Sequence, residues 1–146
     1  MIVFLFSWTC YSFFTQDQKT AETFANDFFS YPLPPKTRVI KQAYDYGVEY
    51  GGGPNGSGGY PTVVAYQTVS SKLSEKEILE YYKSSKFELY FAGDEHLQKS
   101  RDGKRMWYEG DTRKHPSTRE NNVKPITFIL QSRTEFTSAF GEFARP

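Results

Sequence analysis

The sequence predicts an α+β domain, an antiparallel sheet of about five strands with two helices packed on one face. Three observations carry this. Short segments of alternating apolar and polar residues are joined by turn chemistry rather than by helices, which favours antiparallel pairing. Two other segments have helical spacing and capping sequences. Phe, Trp and Tyr make up 18% of the 146 residues, a bias toward half-buried pleated surfaces.

The chain opens on MIVFLFSWTCYSFF, in which nine of fourteen residues are strongly apolar and no charge precedes Asp17. A spanning helix needs about 20 apolar residues and the apolar region of a signal about 7–15. Residues 1–14 therefore read as a hydrophobic anchor or signal remnant, with a cytoplasmic protein whose first, buried strand is Ile2–Leu5 as the alternative. From Thr15 the pattern turns helical. Ala21, Phe24, Ala25 and Phe28 share a face, Thr15 and Gln18 have capping-box spacing, and Pro32 forbids continuation, so a helix is expected over 16–30.

The stiff connector YPLPP (31–35) leads into an alternating segment over 38–50. There Ile40, Tyr44, Tyr46, Val48 and Tyr50 are expected on one face and Lys41, Asp45 and Glu49 on the other. TVVAYQTV (62–69) is more uniformly apolar and reads as a more central strand. Ser74 and Glu77 then form a capping box, flanked by Leu73 and Ile78 as a hydrophobic staple, which predicts a helix over 75–85. FELYFAG (87–93) alternates as a strand. Asp102-Gly103 marks a hairpin turn between HLQKS and KRMWYEG. KPITFILQSRTE (124–135) is the last strand, with Ile126, Phe128 and Leu130 on one face and its start near a sheet edge because of Pro125. The predicted order is α-β-β-α-β-β-β in a single domain over 15–135, followed by a frayed tail over 136–146.

Composition narrows the function classes. Charged residues are 24% and apolar ones 38%, which fits a globular domain and excludes a multispanning membrane protein. A formal charge of +1 gives no general field for polyanions, and no nucleic-acid partner is expected. A single cysteine, Cys10, excludes an internal disulfide and a cysteine-based zinc site. Lys99–Lys124 holds eight basic and four acidic residues around Trp107 and Tyr108, and reads as a solvated hairpin face.

Seven of the eleven glycines lie in GVEYGGGPNGSGGYPTVVAY (47–66). Gly51, Gly53 and Gly56 satisfy G-x-G-x-x-G, but nucleotide binding needs that motif to open a helix, and Pro61-Thr62-Val63-Val64 is β-rich. The last glycine of the motif precedes Ser57 rather than the lysine of a P-loop. No cofactor is expected. The loop joins two strands, with Asn55-Gly56 supplying positive φ. Exposed aromatics beside flexible backbone suit ligand contact, so Tyr46, Tyr50, Gly51, Gly53, Asn55, Gly56 and Tyr60 form the candidate binding surface. Asp94, Glu95 and His96 bring two carboxylates and an imidazole together and define the alternative, a small hydrolase or metal-dependent enzyme. Their spacing matches no established ligand pattern, and a solvated turn is the expected arrangement.

The proline connector before Val39-Ile40, the glycine loop after Tyr50 and Ser74-Glu75-Lys76-Glu77 leading to Tyr81-Tyr82 resemble a group of small uncharacterised bacterial proteins. Those carry an N-terminal hydrophobic anchor and one extracytoplasmic domain. The likeness spans residues 33–82, about a third of the chain, and includes no catalytic motif. It departs at the start, where basic residues before the apolar run are absent. The resemblance implies a membrane-anchored or extracytoplasmic location. The expected function is that of a non-catalytic binding or accessory domain, with a membrane surface as a partner of residues 1–14.

Overall fold

A computed structural model describes residues 2–50, 60–99, 106–112, 115–116 and 125–136, with side chains described for 15–47, 62–99, 106–112, 115–116 and 125–136. Two helices and six strands follow in the order α1 (Ile2–Phe29), β1 (Thr37–Tyr50), β2 (Tyr60–Ser71), α2 (Glu75–Tyr82), β3 (Glu88–Phe91), β4 (Glu95–Lys99), β5 (Met106–Gly110) and β6 (Ile126–Glu135). The α+β class holds. The five-stranded sheet is corrected to a four-stranded sheet of order β1-β2-β6-β3 and a separate β4–β5 ribbon. One more strand follows α2 than the predicted order holds, because FELYFAG, HLQKS and KRMWYEG each supply a strand of their own, β3, β4 and β5.

The N-terminal expectations need a second correction. Ile2–Leu5 is not a strand, and no helix starts at Thr15. One helix runs from Ile2 to Phe29, so Thr15 and Gln18 lie inside it rather than at its cap. Helical propagation extends an existing helix more easily than a new one nucleates, and no glycine or proline interrupts residues 2–29. Its end follows the sequence: the Ser30 amide still donates to the Asn26 carbonyl at 2.9 Å, and Pro32 stops the ladder. The capping box of α2 is present as predicted, with the Ser74 amide donating to Glu77 Oε2 at 2.8 Å and the Glu77 amide donating to Ser74 Oγ at 3.3 Å. The helix stops at Tyr82, earlier than the expected 85.

Both helices cover one face of the sheet. Ala25 and Phe28 of α1 and Ile78 and Tyr82 of α2 close over Ala65 and Val69 of β2, Leu89 and Phe91 of β3, and Phe128 and Leu130 of β6. Edge-on aromatic contacts join the elements here, with Phe28–Phe87 at 5.1 Å and Tyr31–Phe87 at 4.8 Å, the spacing and tilt that ring quadrupoles favour.

The opposite face is not solvated, although the alternation of FELYFAG suggested it. Tyr66, Tyr90 and Ile129 are buried there, with Ala43 and Tyr108 packed against them. The ribbon lies over this face and is held by side chains that take the place of a neighbouring strand. Gln131, 0% exposed, accepts from the Tyr108 amide at 2.8 Å and donates through Nε2 to the Tyr108 carbonyl at 2.9 Å. Two residues earlier on the same ribbon edge, the Met106 amide donates to Asp45 Oδ2 at 2.9 Å. The free edge of β5 is thereby satisfied without a further strand.

β6 lies between β2 and β3, so the last strand is internal. β3 pairs only with Phe128–Gln131, which leaves the start of β6 flanked by β2 alone, where Pro125 precedes it. In β1 the register shifts between Val39, opposite Val69, and Lys41, opposite Thr68. Ile40 is the extra residue of this bulge and is 56% exposed, not on the core face as alternation suggested.

Candidate functional site

The tip of the β1–β2 hairpin was the expected site. The structure places Tyr50 directly opposite Tyr60 and Tyr46 opposite Val63, with Tyr46 half-buried. β2 begins as a strand at Tyr60, so the loop joins two paired strands, as expected. Gly51, Gly53, Asn55 and Gly56 lie outside the described residues.

The Asp94-Glu95-His96 cluster is divided by the backbone. Asp94 sits in the turn, its amide donating to the Phe91 carbonyl at 2.9 Å. Glu95 starts β4 opposite Gly110 and accepts from the Gly93 amide at 2.8 Å. His96, exposed, is opposite Glu109 on the other face of the ribbon. Among the described residues no three His, Cys, Asp or Glu side chains are grouped to hold a metal. His115 is exposed in its loop.

A second polar constellation ties the ribbon down. Glu88 Oε2 accepts from Tyr90 Oη at 2.6 Å, Gln131 Nε2 at 2.7 Å and Arg133 Nη2 at 2.8 Å, and Glu88 Oε1 accepts from Arg133 Nε. These bonds satisfy a partly buried carboxylate and orient the Gln131 carboxamide toward Tyr108. Burial raises the pKa of Tyr66 and, with the Glu95 carboxylate adding to it, that of Tyr108. Both phenols stay neutral and packed at 5.0 Å edge to face. This arrangement positions the ribbon.

The strongest candidate site lies at the other end of the same hairpin. Lys36, Thr37, Arg38, Ser70, Ser71, Lys72 and Pro125 line a depression of about 530 Å³. Among the described residues, three cationic side chains line it and no acidic one does. None of the three forms an ion pair with a described residue. Ser71 is 1% exposed and its hydroxyl is within 2.7 Å of Thr37 Oγ1 while accepting from the Leu73 amide at 3.1 Å. Ser70, opposite Arg38, is 5% exposed.

The backbone at the rim is strained. Lys36 has φ of 58°, a left-handed conformation uncommon outside glycine. It persists because the Lys36 carbonyl accepts from the Lys72 amide at 3.1 Å, which also fixes the two lysines side by side. Such outliers cluster at functional sites. β1–β2 pairing brings Thr37 opposite Ser71 and Arg38 opposite Ser70. Sequence reasoning missed these residues because they come from two segments joined only by register. The available signal was two strand ends of matching character, KTR (36–38) and SSK (70–72).

No protein-family model, curated protein or solved structure matches the chain.

Proposed function

We propose that the chain is a non-catalytic binding domain that takes an anionic ligand between Lys36, Arg38 and Lys72. The supporting observation is three like charges gathered around one depression that Thr37, Ser70 and Ser71 at this end of the hairpin also line. Like charges held together destabilise the unliganded domain, and an anion reverses the sign of that term. Arg38 offers a planar fork for two oxygens, the lysines supply rotatable ammonium donors, and Ser70 adds a neutral donor. The depression and the hairpin tip are some 40 Å apart along β1, by the rise of about 3.3 Å per residue, so the two surfaces would act separately.

Location is part of the same proposal. The uncharged apolar run of residues 1–14 and the resemblance to anchored bacterial proteins support a membrane-associated or exported protein. Among the described residues no helix is long and apolar enough to cross a membrane. Fractionation of cells expressing the full chain tests this: recovery with the membrane or exported pool is expected, and recovery wholly with the cytosol would overturn the location.

Binding is tested by thermal unfolding in rising inorganic phosphate at constant ionic strength. Ligand that binds only the native state raises stability as RT ln(1 + [L]/Kd). The wild-type midpoint is expected to climb with phosphate, and that of the Arg38→Ala/Lys72→Ala double variant to stay flat. Parallel responses of the two proteins would reject the site.

A further inference from the structure

Resting on that reading, we infer that the ligand is an oligophosphate-type anion, whose first phosphate occupies the depression and whose next reaches Lys41. The β1 bulge carries this. In an uninterrupted strand, Arg38 and Lys41, three residues apart, point to opposite faces. Here Ile40 is inserted without a partner, so Arg38 is opposite Ser70 and Lys41 is opposite Thr68. Directly opposed residues share a face, and Ser70 and Thr68, two apart on β2, also share one. The bulge therefore places Arg38 and Lys41 on the same side of the sheet. It is the side of Ala43 and Tyr66, away from the helices.

The two cationic positions follow one another at about 7 Å along the strand, the rise of two residues. A hydroxyl-bearing residue of β2 stands beside each, Ser70 by Arg38 and Thr68 by Lys41. Lys41 is exposed, and no ion pair ties it to a described residue. A single small anion in the depression would leave Lys41 unused. A chain of linked phosphates, or two phosphates on one small molecule, fits a cation pair repeated along a strand. Bulges re-aim side chains in this way next to binding sites.

Calorimetric titration with orthophosphate and with tripolyphosphate, on wild type, Arg38→Ala and Lys41→Ala, tests the inference. Tripolyphosphate is expected to bind wild type more tightly than orthophosphate. Lys41→Ala is expected to lower tripolyphosphate affinity by about fivefold, the upper range for one exposed ion contact, and to leave orthophosphate unchanged. Arg38→Ala should weaken both. An unchanged thermal midpoint of Lys41→Ala shows that the fold is kept. If orthophosphate binds but tripolyphosphate gains nothing, or if Lys41→Ala weakens both equally, the second position is refuted while the depression stands. If neither anion binds, co-sedimentation with phosphatidylcholine vesicles, with and without the diphosphate lipid cardiolipin, separates the two sources. Lys41-dependent binding to the cardiolipin vesicles assigns the phosphates to a lipid headgroup. No binding in solution or on vesicles overturns both the inference and the site.

Discussion

Replacing Gln131 by Ala tests the claim that a side chain does the work of a strand beneath the ribbon. The variant loses three hydrogen bonds, to the Tyr108 amide at 2.8 Å, the Tyr108 carbonyl at 2.9 Å and Glu88 Oε2 at 2.7 Å. The bonds themselves contribute modestly, since water would otherwise take them. The larger cost is two backbone groups of β5 left without partners, each about 1–3 kcal/mol. Tyr108 is half-buried and a water can enter the space left by the carboxamide, so the lower half of that range applies. The expected loss is about 2–3 kcal/mol in urea unfolding followed by circular dichroism, a fall in Tm of roughly 5–10 °C for a domain of this size. Gln131→Met, which keeps the volume and removes the polar atoms, should cost nearly as much. Native-state hydrogen exchange should show Tyr108 losing protection in both variants while β2 amides keep theirs. A change below about 0.5 kcal/mol, within the range of an ordinary surface substitution, together with a still-protected Tyr108 amide, would refute the reasoning.

Two further outcomes follow from single residues. Gly110 has φ of 150°, and a Cβ there would lie 2.0 Å from the Asp94 carbonyl oxygen; Gly110→Ala should therefore destabilise the ribbon by about 2 kcal/mol or more, and unchanged urea unfolding would show that the turn relaxes freely. Among the described residues the buried Tyr82 hydroxyl has no hydrogen-bond partner, so Tyr82→Phe should leave stability at pH 7 unchanged or raise it by up to about 1 kcal/mol. Burial first, then Tyr81 and Tyr31, raises the Tyr82 pKa well above the phenol value of about 10. The native state therefore keeps a proton that the unfolded chain releases. That contribution is complete below pH 10 and is lost as pH climbs through the raised value. Tyr82→Phe should flatten the alkaline decline in stability, and identical curves for variant and wild type would contradict the burial argument.

Local chemistry was readable wherever it was settled within a few residues. The Ser74–Glu77 capping box, the proline stop after Ser30 and the strand–loop–strand reading around Asn55 each depend on neighbours in sequence, and the structure agrees with them. Helix extent was less readable. Thr15 and Gln18 have the spacing of a cap, but a helix already running from Ile2 passes through them. The second face of the sheet was also hidden. Tyr90 alternates with Leu89 and Phe91 as if toward solvent, yet it is buried because β5 arrives from a distant part of the chain.

From sequence alone came the α+β class, the antiparallel hairpin, the position of α2 and the exclusion of disulfide and cysteine–zinc chemistry, because periodicity, capping and composition act over short distances. Tertiary structure decided that the ribbon leaves the main sheet, that Gln131 replaces a strand and that Ile40 is extruded. It also decided that Lys36, Arg38 and Lys72 surround one depression. Those outcomes depend on which residues stand opposite one another across strands, and register is a property of paired segments that neither carries by itself.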